Sequence, residues 1–252
     1  MNEADVIAAL EMPPSARVDQ RVPKKLLVEN GAPTAADKRK INEGIEEVFW
    51  LAALKPTTIG VPEFRDGTRE YLEIAVLRAV LRATAQTARL AELIHRAVPY
   101  PVLLIATQGD ALTISLAHKR RSQGEAGATV LDGALVVADL AAVQTANVAA
   151  AFAREMVIAR QPRADLFALY QGWMDTVVAR LAAQVTGRFT VASSPEMAAA
   201  RRTALAECAR LEAQMASLRA AAAKERQVAR QVELNLELKR VQAEHSAARA
   251  KL

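Results

Sequence analysis

The chain has 252 residues, of which 52% are hydrophobic and only 4% aromatic, with ten glycines and ten prolines, a composition that favours an α-rich globular protein over disorder or an all-β sandwich. Its single cysteine, Cys208, excludes an internal disulfide framework and a thiolate-based zinc site, both of which need several sulfurs held together. The net charge of +5 is unevenly placed: from Ser194 onward there are 11 basic and 7 acidic residues, so the tail carries nearly all the excess.

The start, Met1-Asn2-Glu3-Ala4-Asp5, has neither the basic stretch nor the apolar run of a secretory leader, and no run of about 18 apolar residues occurs. A cytoplasmic location without a membrane span is expected. Residues 1–33 are polar and broken by Pro13, Pro14, Pro23 and Pro33, which predicts an extended N-terminal arm able to dock on the body or on a partner. Thr34 and Asp37 then form a helix start. Ile41, Ile45, Val48, Phe49 and Ala52 follow at helical spacing, which predicts a helix closed by Lys55-Pro56. Tyr71 to Arg78 reads as a strand and Thr84 to Val98 as a helix.

The clearest β signal is a hairpin, Val102–Ala106 and Ala111–Leu116, around Gln108-Gly109-Asp110. A polar loop through Gly127 leads to one more strand, Thr129 to Val137, with Gly133 as a turn or bulge. From Asp139 an Ala-rich helix is predicted as far as a break near Pro162, and Asp165 to Gly187 supplies another. Pro195 opens a last helix that meets no Gly or Pro before Leu252, a length of about 85 Å. Leu211, Leu218 and Val232 fit one heptad position and Cys208, Met215, Ala222 and Leu236 the other. Glu225 interrupts that core, and Leu234, Leu238 and Val241 imply a shifted register. Leu211, Met215, Leu218, Val232, Leu234, Leu238 and Val241 are therefore the candidate partner-binding residues. A homo-oligomer, an antiparallel hairpin, a partner's helix or packing along the body of the same chain would each satisfy the pattern.

The expected fold class is α+β: a small, mainly antiparallel sheet with packed helices, a helical region and a long C-terminal coiled-coil-like helix. The expected segments are 1–33, 34–138, 139–193 and 194–252.

For chemistry the sequence offers little. There is no Walker loop, dinucleotide fingerprint, zincin helix or serine elbow, and no cofactor or metal is expected. Glu70, Glu73, Asp110 and Asp132 lack the lysine spacing of restriction-type nucleases. Of the three histidines, His245 belongs to the tail, His95 lies on an apolar helix face, and His118 leads a basic run at a strand end. His95 and His118 are the only candidate catalytic residues. Phosphate contact is better supported, through Arg17, Arg21, Lys24 and Lys25, through Lys38, Arg39 and Lys40, and through Lys119, Arg120 and Arg121. Aromatics are not interleaved with them, so any contact with DNA or RNA would be to the backbone.

The runs Asp19-Gln20-Arg21-Val22-Pro23-Lys24-Lys25, Glu29-Asn30-Gly31-Ala32-Pro33, Asp37-Lys38, Glu70-Tyr71, Ala91-Glu92-Leu93-Ile94-His95-Arg96-Ala97-Val98-Pro99-Tyr100-Pro101 and Ser115-Leu116-Ala117-His118-Lys119-Arg120 resemble a bacterial family of uncharacterised domains. The resemblance covers residues 15 to 190. It implies genes beside a helicase and a DNA methyltransferase, in restriction-modification-like and DISARM-related antiviral clusters, and it transfers no catalytic role to any residue. The expectation is a non-catalytic accessory subunit of an antiviral defence complex, with a divergent metal-dependent nuclease or a nucleic-acid-binding protein as the alternatives.

Overall fold

A sheet whose two faces are both covered needs apolar side chains on both sides of its strands, and this requirement explains where the sequence pattern is clear and where it misleads. The structure, a computed structural model, describes residues 1–124, 127–141 and 145–252. It divides into two compact units, Met1–Val177 and Val178–Leu252.

The first unit is mixed α/β. Its helices are α1 (Glu3–Ala9), α2 (Lys24–Gly31), α3 (Ala35–Gly44), α4 (Pro56–Ile59), α5 (Thr87–Ala97), α6 (Ala146–Met156) and most of α7 (Leu166–Thr186). Its strands are β1 (Arg17–Arg21), β2 (Ile45–Leu54), β3 (Phe64–Arg65), β4 (Glu70–Tyr71), β5 (Ile74–Leu81), β6 (Val102–Gln108), β7 (Ala111–Arg121) and β8 (Thr129–Asp139). Six strands form one sheet in the order β1-β2-β5-β6-β7-β8, and β3 with β4 forms a separate ribbon. Every neighbouring pair is antiparallel except β5 and β6, which run parallel. A parallel pair needs a crossover, and α5 supplies it.

Side-chain alternation assigns the two faces. Ala75, Leu77, Ala79 and Leu81 of β5 and Val102, Leu104 and Ala106 of β6 pack in one cluster with Leu27 of α2, Ile41 of α3 and Leu90, Leu93 and Ile94 of α5. Their alternates, Ile74, Val76, Leu103, Ile105, Ile114 and Leu116, are also buried and point to the other face. The Tyr170 hydroxyl of α7 donates to the Val102 carbonyl at 2.6 Å and accepts from the Ala117 amide at 2.9 Å. Trp173, fully buried, donates from Nε1 to the Met156 carbonyl at 2.8 Å and ties α7 to the end of α6.

The expected hairpin forms, with Gly109 at φ 57° in the turn between β6 and β7. The expected strand at Thr129 forms too, with a register irregularity opposite Ala117 and Gly133 at φ 90° within it. Several expectations need correction. The helix predicted to run to Lys55 stops at Gly44, and Ile45–Leu54 is strand β2, paired on both sides. Ile45, Val48, Phe49 and Ala52 suit a helical stripe, but β-branched and aromatic residues buried on both sheet faces lose strict alternation and imitate that spacing. Gly44 fits the close approach of α5, since a Cβ there would lie 2.8 Å from Leu90 Cδ1. Residues 1–33, read as an extended arm, instead form two short helices and the polar edge strand β1, which pairs with β2. The Ala-rich helix expected from Asp139 begins at Ala146, after a Thr145 side-chain cap; residues 142–144 of that stretch lie outside the described residues.

In the second unit the single helix expected from Pro195 to Leu252 is two helices, α8 (Pro195–Lys224) and α9 (Val228–Arg249). The break needs no Gly or Pro. Glu225 leaves the helical region at φ −74° and ψ 132°, and its Oε1 accepts from the Arg226 and Gln227 amides at 2.7 and 2.9 Å, satisfying donors that the start of α9 would leave unpaired. The two helices pack antiparallel. Cys208, Leu211 and Met215 of α8 bury against Val241 and Ala248 of α9, with Leu218, Leu238 and Leu252 at the margin.

Candidate functional site

The two candidate catalytic histidines lie on opposite sides of the sheet. His95 projects from α5, fully buried, with Nε2 at 3.0 Å from Ser115 Oγ of β7. Beside it Lys119 is 2% exposed and donates from Nζ to the Val98 carbonyl. Burial, and then the neighbouring Lys119 charge, hold the His95 imidazole down at about 3, against the opposing pull of its hydrogen bond to Ser115. Burial alone lowers the Lys119 ammonium to about 8. His95 is therefore neutral at pH 7, and neither side chain opens to solvent.

His118 precedes Lys119 on β7 and so points to the other face. Its ring stacks on Phe167 of α7 at 4.9 Å between centroids. Gln171 donates from Nε2 to Asp175 Oδ1 at 2.9 Å, which leaves Gln171 Oε1 as the acceptor for His118 Nε2–H at 2.8 Å. Nδ1 is hydrogen-bonded to the Tyr71 hydroxyl, 2.5 Å away. The Tyr71 oxygen also accepts from the Lys119 amide at 3.3 Å, and burial raises the phenol well above its ordinary value. Tyr71, His118, Gln171 and Asp175 thus form one hydrogen-bonded chain that engages both ring nitrogens. Arg69 lies over the Phe167 ring at 5.5 Å and pairs with Asp132 at 2.6 Å, closing the cluster. None of Tyr71, Phe167 or Gln171 carried a sequence signal beyond the Glu70-Tyr71 run. Among the described residues no group of three or more His, Cys, Asp or Glu side chains is placed to hold a metal ion.

The ten candidate basic residues are distributed over the first unit, five of them beside carboxylates. Arg17 lies 3.8 Å from Asp19, Lys25 3.7 Å from Glu29, Lys40 3.9 Å from Asp37, Arg120 3.9 Å from Asp132 and Arg121 3.4 Å from Glu70. Lys24 donates from Nζ to the carbonyls of Asn42 and Ile45 and so closes the end of α3. Burial lowers its pKa first, with the charges of Arg82 and Arg21 adding to the effect. Arg21 and Lys24 line one cavity with Glu46 and Glu47. Lys38 and Arg39 are exposed on α3, over one face of the sheet, whereas Arg120 extends beside His118 toward the other. The buried Lys119 shares a surface with neither Arg120 nor Arg121.

In the second unit the candidate partner-binding residues separate into two groups. Leu211, Met215, Leu218, Leu238 and Val241 pack inside the hairpin, and Leu234 is half-buried. Val232 is 52% exposed, and with it Val228 at 73% and Leu236 at 62%. These three stand at i, i+4 and i+8 on one face of α9, away from the hairpin core. Val228 was not among the residues the heptads selected, and Leu236 had been placed in the seam. Their four-residue spacing is the signal that distinguishes them.

Residues 10–244 match the family model described as Domain of unknown function (DUF4391), and the chain belongs to that family. No curated protein matches the chain, and no solved structure does.

Proposed function

We propose that this member of the DUF4391 family is an accessory subunit of a bacterial antiviral defence assembly, acting by contact with a partner protein through the outward face of α9. The observation that carries the reading is the stripe Val228, Val232 and Leu236, more than half exposed at every position. Large apolar residues aligned along one helix face mark a contact surface, whereas scattered single ones do not. The opposite seam of the same helix is occupied by α8, so the stripe is what remains for a partner. The gene neighbours implied by the resemblance, a helicase and a DNA methyltransferase, name the first partners to try. The sheet between His95 and His118 favours contact over chemistry as the contribution of the first unit, and the carboxylates beside five of its ten candidate basic residues favour a protein partner over a nucleic-acid backbone.

The test is co-purification of the full chain with the helicase and the methyltransferase of its own gene cluster, with light scattering of the chain alone. Each buried Val or Leu contributes about 1.5–3 kcal/mol, so Val232→Glu with Leu236→Glu weakens the complex by more than about a hundredfold while circular dichroism and melting stay unchanged. A double variant that binds both partners as the parent does would remove the proposal.

A further inference from the structure

Most arginines of the second unit that appear in ion pairs sit next to a glutamate three or four residues away. Arg210 pairs with Glu207 at 2.7 Å, Arg230 with Glu233 at 2.6 Å and Arg240 with Glu244 at 3.7 Å. Arg188, Arg201 and Arg249 depart from this habit. They come from three places in the unit, the segment after α7, the second turn of α8 and the end of α9, and all three line one cavity of about 390 Å³ with Thr186 and Thr190. Among the described residues no carboxylate lies within ion-pair distance of any of them. Arg201 is 8% exposed, and its recorded partner is the Thr190 carbonyl.

Local roles account for parts of this arrangement. Arg249 opposes the helix dipole in the last turn of α9, and Arg201 satisfies a loop carbonyl. Neither role explains why three guanidinium groups share one cavity whose lining carries no acidic side chain, since like charges at close range repel most where water is partly excluded. A bound dianion removes that cost. Guanidinium forks match the oxygens of a phosphate in pairs, and the volume suits a phosphate with a small group attached. Depth narrows the class further. Arg201 lies inward of Arg188 and Arg249, which are exposed, so a terminal phosphate reaches it and the internal phosphates of a duplex do not.

We propose that this cavity binds a terminal phosphate group, a phosphomonoester of a small molecule or the 5′ end of a nucleic acid. The site is independent of the outward face of α9, and its failure would leave the partner-contact reading untouched. The test is calorimetric titration of the full chain with inorganic phosphate, with adenosine 5′-monophosphate, and with a trinucleotide bearing either a 5′-phosphate or a 5′-hydroxyl. The expected result is saturable binding of inorganic phosphate and of at least one phosphomonoester and, where a trinucleotide binds, a 5′-hydroxyl form at least tenfold weaker than the phosphorylated one. Binding of the nucleotide alone identifies a small-molecule source, and tighter binding of the phosphorylated trinucleotide a nucleic-acid end. Arg188→Gln and Arg249→Gln, both at exposed positions that leave the Thr190 contact in place, each weaken binding at least tenfold. Lys239→Gln, which removes the same charge from α9 at a position that does not line the cavity, leaves it unchanged. No saturable phosphate binding, measurable binding of both trinucleotides with equal affinity, or an equal loss in Lys239→Gln would overturn the site.

Discussion

The α/β unit and the C-terminal hairpin place their large apolar residues in opposite ways. In the first, both faces of the sheet are closed by helices, and Leu, Ile and Val fill the interior from β5, β6, α5 and their neighbours. In the second, the core is a narrow seam of Cys208, Leu211, Met215, Val241 and Ala248, while Val228, Val232 and Leu236 face outward. Apolar surface held inside supports a fold, and apolar surface aligned outside is available to a second molecule. The two units therefore differ in how much of their sequence is needed for folding alone.

Substitutions that cut cores and stripes separately sharpen this difference. The largest loss is expected at Trp173, which is fully buried and hydrogen-bonded to the Met156 carbonyl: Trp173→Ala costs about 3–5 kcal/mol in denaturant unfolding, and a loss under about 1 kcal/mol would mean that α7 does not close the sheet. In the hairpin seam Leu211→Ala costs about 2–3 kcal/mol, read as a loss of helical signal at lower denaturant; an unaffected transition would show that α8 and α9 do not pack through that residue.

Acid separates the units next. His95 binds its proton only near pH 3 when folded, against an ordinary value of 6.5. Between those values the unfolded chain holds a proton the native state lacks, so stability falls as pH falls through that window, by up to about 1.4 kcal/mol per unit. His95→Gln removes that part of the slope, and an unchanged acid profile would place the imidazole in contact with water. The smallest effect belongs to the stripe: Leu236→Ala alters stability by less than about 0.5 kcal/mol, and a larger loss would show that Leu236 belongs to a core.

Much of the sheet was legible in the sequence because its signals were local. The turn at Gly109, the alternation around it and the breaks at Pro99 and Pro101 each depend on a few adjacent residues. Strand β2 was not legible, because Val48 to Leu54 is apolar toward both faces, and only its pairing with β1 and β5 decides between strand and helix. The bend at Glu225 was half legible: the register shift in the heptads marked it, but without Gly or Pro the reversal depends on one carboxylate reaching two amides. The His118 cluster was hidden for another reason. Tyr71 lies about a hundred residues before Phe167 and Gln171 and meets them only when α7 packs on the sheet. The same holds for Arg188, Arg201 and Arg249, which share no run of charge.

The central claim is that the terminal helices turn back on each other and bury their seam without help, leaving the α9 stripe outward. The Glu212–His245 contact of 3.1 Å sets the register and brings Ala248 into the same buried cluster as Cys208. An Ala248→Cys substitution in the full chain measures this directly by mild oxidation followed by non-reducing electrophoresis and mass measurement. The hairpin predicts a monomer carrying one disulfide between positions 208 and 248, with faster mobility than the reduced chain. One continuous helix would hold those positions about 60 Å apart, and free thiols or disulfide-linked dimers would contradict the hairpin.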